Sequence, residues 1–296
     1  MEKQEFWSDY QPGFRFAGSP VGSREFFDEV TAYRDTVEPH IPEVVDFARW
    51  SGKAVLEAGC GIGTDGVRFA GAGAAYTGVD FSPTALSLAR HRFELEGLPG
   101  RFVSGSVTAL PIQDETFDLV FSHGVIHHVD DTKAAIREFS RVLKPGGTAL
   151  IMVYHRSSLN YHVSIMTVRR ALISLVLLPR GDRVASKLTG EPEAVLCGHK
   201  ELFSEHGLDY LRDRQLFLNH NTDGPGNPLA KVSSPAEMAE LVEPELRLER
   251  TEIRYLNLRL YPGGLRFSQS RPGRRLERRI GWHLYAECRK AGSPAR

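Results

Sequence analysis

Between residues 53 and 154, short apolar runs alternate with amphipathic stretches in a regular rhythm. The apolar runs have the length of buried strands, and most of the stretches between them have the spacing of a helix with one apolar face. The predicted strands are residues 54–57, 76–80, 101–104, 117–121 and 148–154. This pattern predicts a parallel sheet that is covered by helices.

The rhythm breaks after Tyr154. Residues 163–179 are strongly apolar, but Arg169 and Arg170 lie at their middle, and the segment is shorter than the roughly 20 residues of a spanning helix. We therefore expect no stable membrane insertion. The segment predicts a helix that packs on the core or roofs an apolar pocket, and weak contact with a membrane surface is the alternative.

Turn-forming residues at 220–228 predict a loop, and a capped helix follows at 234–242. Two late strands are predicted at 246–258 and 282–288, with an exposed arginine-rich connection at 266–279 between them. Four parts result, in chain order: an N-terminal helical lid (1–50), a ligand-binding core (51–155), an insertion that forms a substrate cover (156–234), and a helix and strands that complete the sheet (235–296).

Composition narrows the classes of partner. The 296 residues carry 37 Lys+Arg and 37 Asp+Glu, so the balanced charge argues against nucleic acid. The three cysteines, Cys60, Cys197 and Cys288, are too far apart for a metal site and suit a reducing compartment. The amino terminus is polar, so we expect no signal peptide. We expect a cytoplasmic protein that acts on a small molecule and holds no metal; the sequence gives no signal for its oligomeric state.

The first strand ends in Glu57 and runs into a turn that contains Gly59, Gly61 and Gly63. A buried strand, a glycine turn and a helix start are typical of sites where an α/β fold binds a nucleotide-like ligand. Residues 61–66 also match the dinucleotide pattern GxGxxG, so the turn alone allows either a nicotinamide enzyme or an S-adenosylmethionine (SAM) enzyme.

Six motifs in order decide between them. They are Glu57-Ala-Gly-Cys-Gly-Ile-Gly63, Gly78-Val-Asp80-Phe-Ser82, Ala109-Leu-Pro111, Phe117-Asp-Leu-Val120, His127-His128 and Arg141-Val-Leu-Lys-Pro-Gly-Gly147. Together they resemble a class I SAM-dependent methyltransferase of the broad family that includes the ubiquinone and menaquinone methylases. A nicotinamide enzyme would need a second nucleotide-binding half, whereas this chain offers an insertion and two late strands.

The resemblance implies an α/β fold with a doubly wound, mostly parallel, seven-stranded, Rossmann-like sheet and an inserted, mainly helical substrate cover. It implies SAM as cofactor and S-adenosylhomocysteine as product. Glu57 would sit beside the cationic amino acid portion of SAM, Asp80 would accept hydrogen bonds from the ribose hydroxyls, and Phe81 would lie along the adenine. The preamble before the first strand would fold over SAM, with Tyr33 as its candidate contact.

The chain departs from the family after its third strand. Many relatives have an acid there, whereas this chain has Ser106 and Val107, so the adenine amino group would meet a hydroxyl or backbone group. Both residues are cofactor candidates by position.

Candidate catalytic residues follow the fourth and fifth predicted strands, whose carboxyl ends meet at the ligand-binding edge of such a sheet. They are His123, His127 and His128 after the fourth strand, and Tyr154 and His155 after the fifth. A histidine that titrates near neutral pH suits the removal of a proton from a phenol, amine or acidic carbon.

The resemblance places the His127-His128 pair beside the SAM methyl, so His127 is the first candidate for the base or acceptor orienter. His123 is a second candidate for catalysis and cofactor contact, and His128 would pack near the cofactor. Tyr154 and His155 are candidates for acceptor contact. An ordinary structural role remains the alternative for each.

The loop residues His220 and Asp223 are further candidates for substrate binding, because loops of this composition often act as lids. The sequence thus predicts methyl transfer from SAM to oxygen, nitrogen or carbon of an aromatic or lipid-like small molecule. The alternative is a silent SAM-binding module that works through a protein partner.

Overall fold

The computed structural model describes residues 6, 7, 14, 17–189, 191–258, 261 and 263–292. Contacts between residues divide these into two compact units. The larger unit consists mainly of residues 7–153, 233–252 and 284–292, and the smaller unit consists mainly of residues 154–232 and 253–283. The predicted insertion at 156–234 falls almost wholly within the smaller unit, whereas the predicted C-terminal part at 235–296 is divided between the two.

A seven-stranded sheet runs through the fold in the order β3-β2-β1-β4-β5-β7-β6. Its strands are β1 (Ala54–Ala58), β2 (Ala75–Asp80), β3 (Arg101–Ser104), β4 (Phe117–His123), β5 (Leu143–Tyr154), β6 (Arg247–Arg254) and β7 (His283–Arg289). The four pairings among the first five strands are parallel. The chain winds outward from β1 in both directions, which confirms the predicted doubly wound, seven-stranded sheet.

Most helices of the larger unit cover this sheet. They are α1 (Arg24–Val37), α2 (Ile41–Val45), α3 (Gly66–Gly71), α4 (Pro83–Glu96), α5 (Thr132–Val142) and α11 (Pro235–Val242), with short 3-10 helices at Phe47–Trp50 and Ile126–His128. Local sequence fixes several of their starts. The Ser82 hydroxyl accepts from the N–H of Ala85, and Ser234 and Glu237 form a reciprocal capping box at α11.

The N-terminal helix α1 packs directly on the glycine turn. Phe26, Phe27 and Val30 are buried with Ile62 of the turn in one apolar cluster. On the helix's polar side, Thr31 accepts a hydrogen bond of 2.6 Å from the buried Arg92 of α4. Because both apolar and polar contacts hold it, α1 is a fixed part of the larger unit over its described length.

The smaller unit is mainly helical and has its own core. It contains a π-helix (Asn160–Arg169), α6 (Arg170–Val176), α7 (Gly181–Thr189), α8 (Glu193–His206), α9 (Asp209–Arg212), α10 (Arg214–Thr222), α12 (Gly264–Gln269) and α13 (Arg271–Ile280). The apolar segment predicted at 163–179 is helical through residue 176, and its Ile165 and Ile173 are buried in that core. None of the helices in the described part of the chain has the length and apolar character needed to cross a bilayer.

Two predictions about local structure were wrong. Helix α10 continues to Thr222, so His220 lies in its last turn and not in a loop. Residues 266–279 are exposed as expected, but they form α12 and most of α13 and not an irregular connection. Ser270 caps α13 by accepting from the N–H of Gly273, and Pro272 suits its first turn. The high arginine content hid these start signals.

Candidate functional site

The candidate site lies where the strand order reverses. Strand β1 lies between β2 and β4, and the chain leaves the carboxyl end of β1 through the glycine turn. Glu57 pairs in register with Gly78 of β2 and Phe121 of β4, so it sits near the carboxyl end of three adjacent strands. In doubly wound folds this crevice is where ligands bind.

Backbone contacts to β2 shape the glycine turn. The N–H groups of Gly59 and Cys60 both donate to the carbonyl oxygen of Val79, at 2.8 and 3.0 Å. Gly59 has a φ of +84°, and a Cβ there would collide with the side chain of Val125. Glycine is therefore required at this position by backbone conformation and by packing, before any ligand is considered.

Asp80 closes the turn from the end of β2. Its Oδ2 accepts from the N–H of Gly61 and its Oδ1 accepts from the N–H of Ser82, both at 2.9 Å. Burial raises the pKa of Asp80, and backbone N–H groups, including these two, oppose that rise. A carboxylate has about four lone-pair sites, so Asp80 can hold the turn and still accept ribose hydroxyls.

Glu57 is buried and is 4% exposed. Its Oε2 accepts a hydrogen bond of 2.6 Å from the hydroxyl of Tyr76. Burial, and secondly the negative charge of Asp65, hold the pKa of Glu57 well above its usual range, against the opposing effects of Tyr76 and Arg34. In the ligand-free protein, the carboxylate of Glu57 thus has no full positive counter-charge, which a cationic ligand would supply.

Arg34 of α1 supplies the main positive charge near the turn. Its Nη2 lies 2.7 Å from Oδ2 of Asp65, and its Nε lies 3.1 Å from Glu38. Although burial disfavours its charge, the carboxylates of Asp65, Glu38 and Glu57 raise the pKa of Arg34 above its usual value. Asp65 keeps one unused acceptor, since its buried Oδ1 has no hydrogen-bond partner among the described residues.

A chain of hydrogen bonds extends from Arg34 to Tyr285 of β7 and on to His40. Arg34 donates to Nδ1 of His123 at 3.3 Å, and Nε2 of His123 lies 2.9 Å from the hydroxyl of Tyr285. That hydroxyl lies 3.2 Å from Nε2 of His40. Because Arg34 can only donate, Nδ1 of His123 is the acceptor of that bond. His123 therefore has a structural task, and its catalytic role stays a prediction.

His127 and His128 lie on the 3-10 helix that follows β4. Both are buried, and their ring centroids are 4.2 Å apart. Trp7 packs against His128 with a centroid distance of 4.8 Å. The pair therefore sits at the carboxyl edge of the sheet, as predicted for residues near the reacting methyl, while its roles stay predictions.

The remaining cofactor candidates also lie in the larger unit. Tyr33 is on α1, and Phe81 follows β2; both side chains are partly buried. Ser106 is exposed and Val107 is buried. The hydroxyl of Ser106 forms a hydrogen bond of 2.8 Å with the hydroxyl of Thr108. The Ser106 hydroxyl is thus directed to its own turn, which leaves backbone groups for the predicted adenine contact.

Two predicted acceptor residues meet in the smaller unit. The hydroxyl of Tyr154 donates to Oδ1 of Asp223 at 2.8 Å, although 69 positions separate them. The ring of Tyr154 stacks on Trp282 with a centroid distance of 4.3 Å and an interplanar angle of 20°. The structure thus joins a phenol, a carboxylate and an indole at one end of the unit's apolar core.

The two other histidines predicted to contact the acceptor bind backbone groups. Nδ1 of His155 lies 3.0 Å from the carbonyl oxygen of Gly281, and Nδ1 of His220 accepts from the N–H of Gly226 at 3.3 Å. Burial lowers the pKa of both rings, and the nearby His206 lowers that of His220 further. Both rings are therefore neutral at pH 7.

The sequence did not predict a role for four residues of the larger unit's network of hydrogen bonds and ion pairs: Arg34, Asp65, Tyr76 and Tyr285. Only Asp65 had a local signal, because it directly follows the glycine turn. Arg34 and Tyr285 lie on α1 and β7, far from the turn in sequence, and nothing short of the fold brings them there. No group of three or more His, Cys, Asp or Glu side chains in the described part of the chain is arranged to hold a metal ion.

Comparison with known proteins gives matches over the same region. Residues 56–151 match the model of a family described as a methyltransferase domain. The chain is 29% identical over 183 residues to a ubiquinone biosynthesis O-methyltransferase of Albidiferax ferrireducens, a match that covers 61% of this chain and 66% of the relative. It is 35% identical over 139 residues to the enzyme of the same name from Thiobacillus denitrificans, covering 46% and 58%.

Among solved structures, a SAM-dependent methyltransferase from Methanosarcina mazei has a TM-score of 0.53 to this chain at 17% identity. The alignment covers 85% of this chain and 98% of that protein. At this identity the likeness concerns the fold alone. The chain spans about three fifths of the length of the two curated relatives.

We predict that Glu57→Gln stabilises the free protein in a pH-dependent way. Glutamine removes the charge and keeps an acceptor for Tyr76. The folded-state pKa of Glu57 lies above the unfolded value of about 4.3, so its ionisation destabilises the fold as pH rises through the folded pKa. The two proteins should melt alike near the unfolded pKa, and the variant should melt increasingly higher at alkaline pH, as thermal denaturation would show.

Glu138→Gln is the matched control. A side-chain hydrogen bond from Arg141 lowers the pKa of Glu138, so its ionised form stabilises the fold. Stability from Glu138 is present above its unfolded pKa, so this variant should melt lower than the wild type at alkaline pH. A Glu57→Gln protein that also melts lower there would contradict the electrostatic description of the turn.

We predict that Arg34→Met destabilises the protein by roughly 2–4 kcal/mol, because the carboxylate of Asp65 stays buried without its partner. The double variant Arg34→Met/Asp65→Asn should recover part of this loss, since the buried side chain at position 65 then carries no charge. Urea denaturation measures both. Arg24→Met, which removes an arginine that is 48% exposed and 3.6 Å from Glu96, should have little effect. Equal losses in the single and double variants would rule out a charge-pair explanation.

Proposed function

We propose that this chain, which belongs to the class I SAM-dependent methyltransferases, transfers a methyl group from SAM to a small-molecule acceptor. The matched methyltransferase domain supports the predicted family and its SAM cofactor, and the fold likeness confirms the doubly wound fold. The activity of the whole chain and its acceptor are our proposal, because the match spans only part of the curated relatives.

One observation carries the proposal: the glycine turn offers free acceptors to a ligand and few free donors. The N–H groups of Gly59, Cys60, Gly61 and Gly63 all donate to protein oxygens, at 2.8–3.0 Å. Oδ1 of Asp65, by contrast, is buried without a donor among the described residues. A pyrophosphate would need donors from the turn, whereas a ligand with an ammonium group supplies them.

The charges favour the same ligand. Three carboxylates, those of Glu57, Asp65 and Asp80, lie around the turn, and Arg34 pairs with Asp65. The surroundings are therefore negative when these acids are ionised, which favours the sulfonium and ammonium charges of SAM and disfavours the two phosphates of a nicotinamide dinucleotide. The charges of the turn therefore favour a methyltransferase over a dehydrogenase, in agreement with the sequence motifs.

We assign contacts to the parts of SAM by this logic. Glu57 and the free oxygen of Asp65 would bind the ammonium group, and Asp80 would bind the ribose hydroxyls while it holds Gly61. Phe81 and the backbone near Val107 would bound the adenine. Tyr33 would contact the cofactor from α1, whose position is fixed by the packing of that helix on the turn.

Bound SAM supplies an already activated methyl group, so the protein's tasks are to orient the acceptor, exclude water and remove a proton where the acceptor has one. His127 is our candidate for the base, because it lies buried at the carboxyl edge of the sheet. His123 is a weaker candidate, since its Nδ1 already accepts a hydrogen bond from Arg34.

The acceptor that we propose is aromatic or lipid-like and carries a hydroxyl. The names of the curated relatives place them in ubiquinone biosynthesis as O-methyltransferases. In this chain, the stacked Tyr154 and Trp282 and the carboxylate of Asp223 would bind such a compound, by ring contact and by hydrogen bonding. His155 and His220 contact the backbone of Gly281 and Gly226 in the same unit. We therefore propose that they support the residues that bind the acceptor and do not contact the acceptor themselves.

We predict that Glu57→Gln weakens SAM binding about 10–100-fold, the cost of one charged hydrogen bond of 1.5–3 kcal/mol. Because burial raises the pKa of Glu57, the ionised fraction grows with pH, and the wild type should bind SAM more tightly as pH rises. The variant should lose this dependence. Isothermal titration across pH measures both effects, with Glu138→Gln as control. A wild-type affinity that falls with rising pH would contradict the assignment.

We predict that the protein transfers a methyl group from SAM to a member of a panel of phenols, catechols and prenylated quinols. Mass spectrometry of the methylated product measures this transfer. His127→Gln should lower kcat by about 10²–10⁴-fold and remove the acidic limb of the pH profile, with SAM affinity retained. His91→Gln, at a half-exposed position of α4 outside the site, is the matched control. SAM binding without transfer to any acceptor would favour the silent binding module over the enzyme.

A further inference from the structure

The strongest charge asymmetry on the molecule lies outside the candidate site. Residues 266–279 contain six arginines and one acid, Glu277, in a chain whose formal net charge is zero. These residues form most of α12 and most of α13, and seven of the ten residues of α13 are exposed. The feature belongs to the smaller unit and plays no part in the function proposed above.

The helix geometry concentrates the positive charge. At about 100° per residue, the five arginines of α13 fall within an arc of roughly 140°. They are Arg271, Arg274, Arg275, Arg278 and Arg279. Several of them are three or four positions apart, a spacing at which like charges destabilise an isolated helix. The chain therefore keeps an arrangement that is unfavourable for the free protein.

Most arginines of this arc have no anionic partner among the described residues. Arg266, Arg271, Arg275, Arg278 and Arg279 form no ion pair with any described residue. The one acid of the segment, Glu277, turns inward: it accepts from the N–H of Tyr255 at 2.8 Å and lies 3.8 Å from Arg254. These five arginines are thus available to an anion from outside the described chain.

Exposed apolar side chains lie beside the arginines. Leu265 and Phe267 of α12 are 40% and 43% exposed, and Leu276 of α13 is 36% exposed. On the helical projection, Pro272 and Leu276 both lie next to the same edge of the arginine arc, and together with Arg275 and Arg279 they line one groove. Cationic and apolar groups therefore share one surface, which we call the arginine surface (residues 265–279).

We propose that the arginine surface docks on an anionic lipid bilayer. A guanidinium group can donate two parallel hydrogen bonds to one phosphate. Apolar side chains beside it can enter the boundary between headgroups and acyl chains. A polyanion such as nucleic acid would neutralise the arginines but would leave Leu265, Phe267 and Leu276 without a partner. A second copy of the chain across a two-fold axis would place arginines against arginines.

The test is sedimentation of the full-length protein with vesicles. We expect binding to phosphatidylcholine vesicles that contain phosphatidylglycerol and none to phosphatidylcholine alone. The binding should weaken strongly between about 0.1 M and 1 M salt, as the screening length falls from about 10 Å to 3 Å. Each arginine near the surface is worth about fivefold in binding, so Arg275→Gln/Arg279→Gln should weaken it roughly 25-fold.

Two further variants separate the outcomes. Arg101→Gln/Arg137→Gln removes two charges from exposed positions of the larger unit and should leave binding unchanged. Phe267→Ser should weaken binding to the anionic vesicles but not to heparin, used as a polyanion without an apolar layer. Circular dichroism checks that each variant is folded.

Three results would overturn the proposal. The first is equal binding to neutral and anionic vesicles, which would remove the role of charge. The second is binding to a short DNA duplex without binding to anionic vesicles, which would identify a polyanion site. The third is no binding to any of these probes at low salt, which would leave the arginine surface simply hydrated.

Discussion

Buried carboxylates at the carboxyl edge of the sheet are the constraint on which the candidate site depends. Asp80 holds the glycine turn by accepting from Gly61 and Ser82, so the turn keeps its shape without a ligand. Glu57 shares the same buried region, and burial raises the pKa of both acids. A folded protein keeps such destabilised charges only where other contacts offset their cost. A cationic ligand would offset part of this cost by pairing with the carboxylates.

Helix α1 links this electrostatic centre to the rest of the larger unit. Its apolar face packs on Ile62 of the turn, while Arg34 pairs with Asp65 and with His123. From His123 the hydrogen bonds continue to Tyr285 and His40. The turn, the N-terminal helix and the last strand are thus coupled, because a change in any one of them leaves a buried polar group without its partner.

The sequence allowed the sheet, the glycine turn and the ends of strands to be predicted, because those features depend on local apolar spacing and on glycine chemistry. The roles of Arg34 and Tyr285 could not be predicted, because both side chains contact residues that are distant in sequence. The sequence of an amphipathic helix does not indicate which residue its arginine will pair with. Residues 266–279 were also mistaken for an irregular connection, because helix α13 presents charge and not an apolar face. The pairing of Tyr154 with Asp223 bridges 69 residues, so only the fold could show it.

The most direct test of the account is isothermal titration of the wild-type protein with S-adenosylhomocysteine and, separately, with NADH, followed by Asp80→Ala. The account predicts that S-adenosylhomocysteine binds, that NADH gives no binding heat, and that the variant, which loses both a ribose contact and the anchor of Gly61, binds S-adenosylhomocysteine more weakly. Binding of NADH, or no binding of S-adenosylhomocysteine to the folded wild type, would contradict the claim that the turn selects a ligand with an ammonium group over one with phosphates.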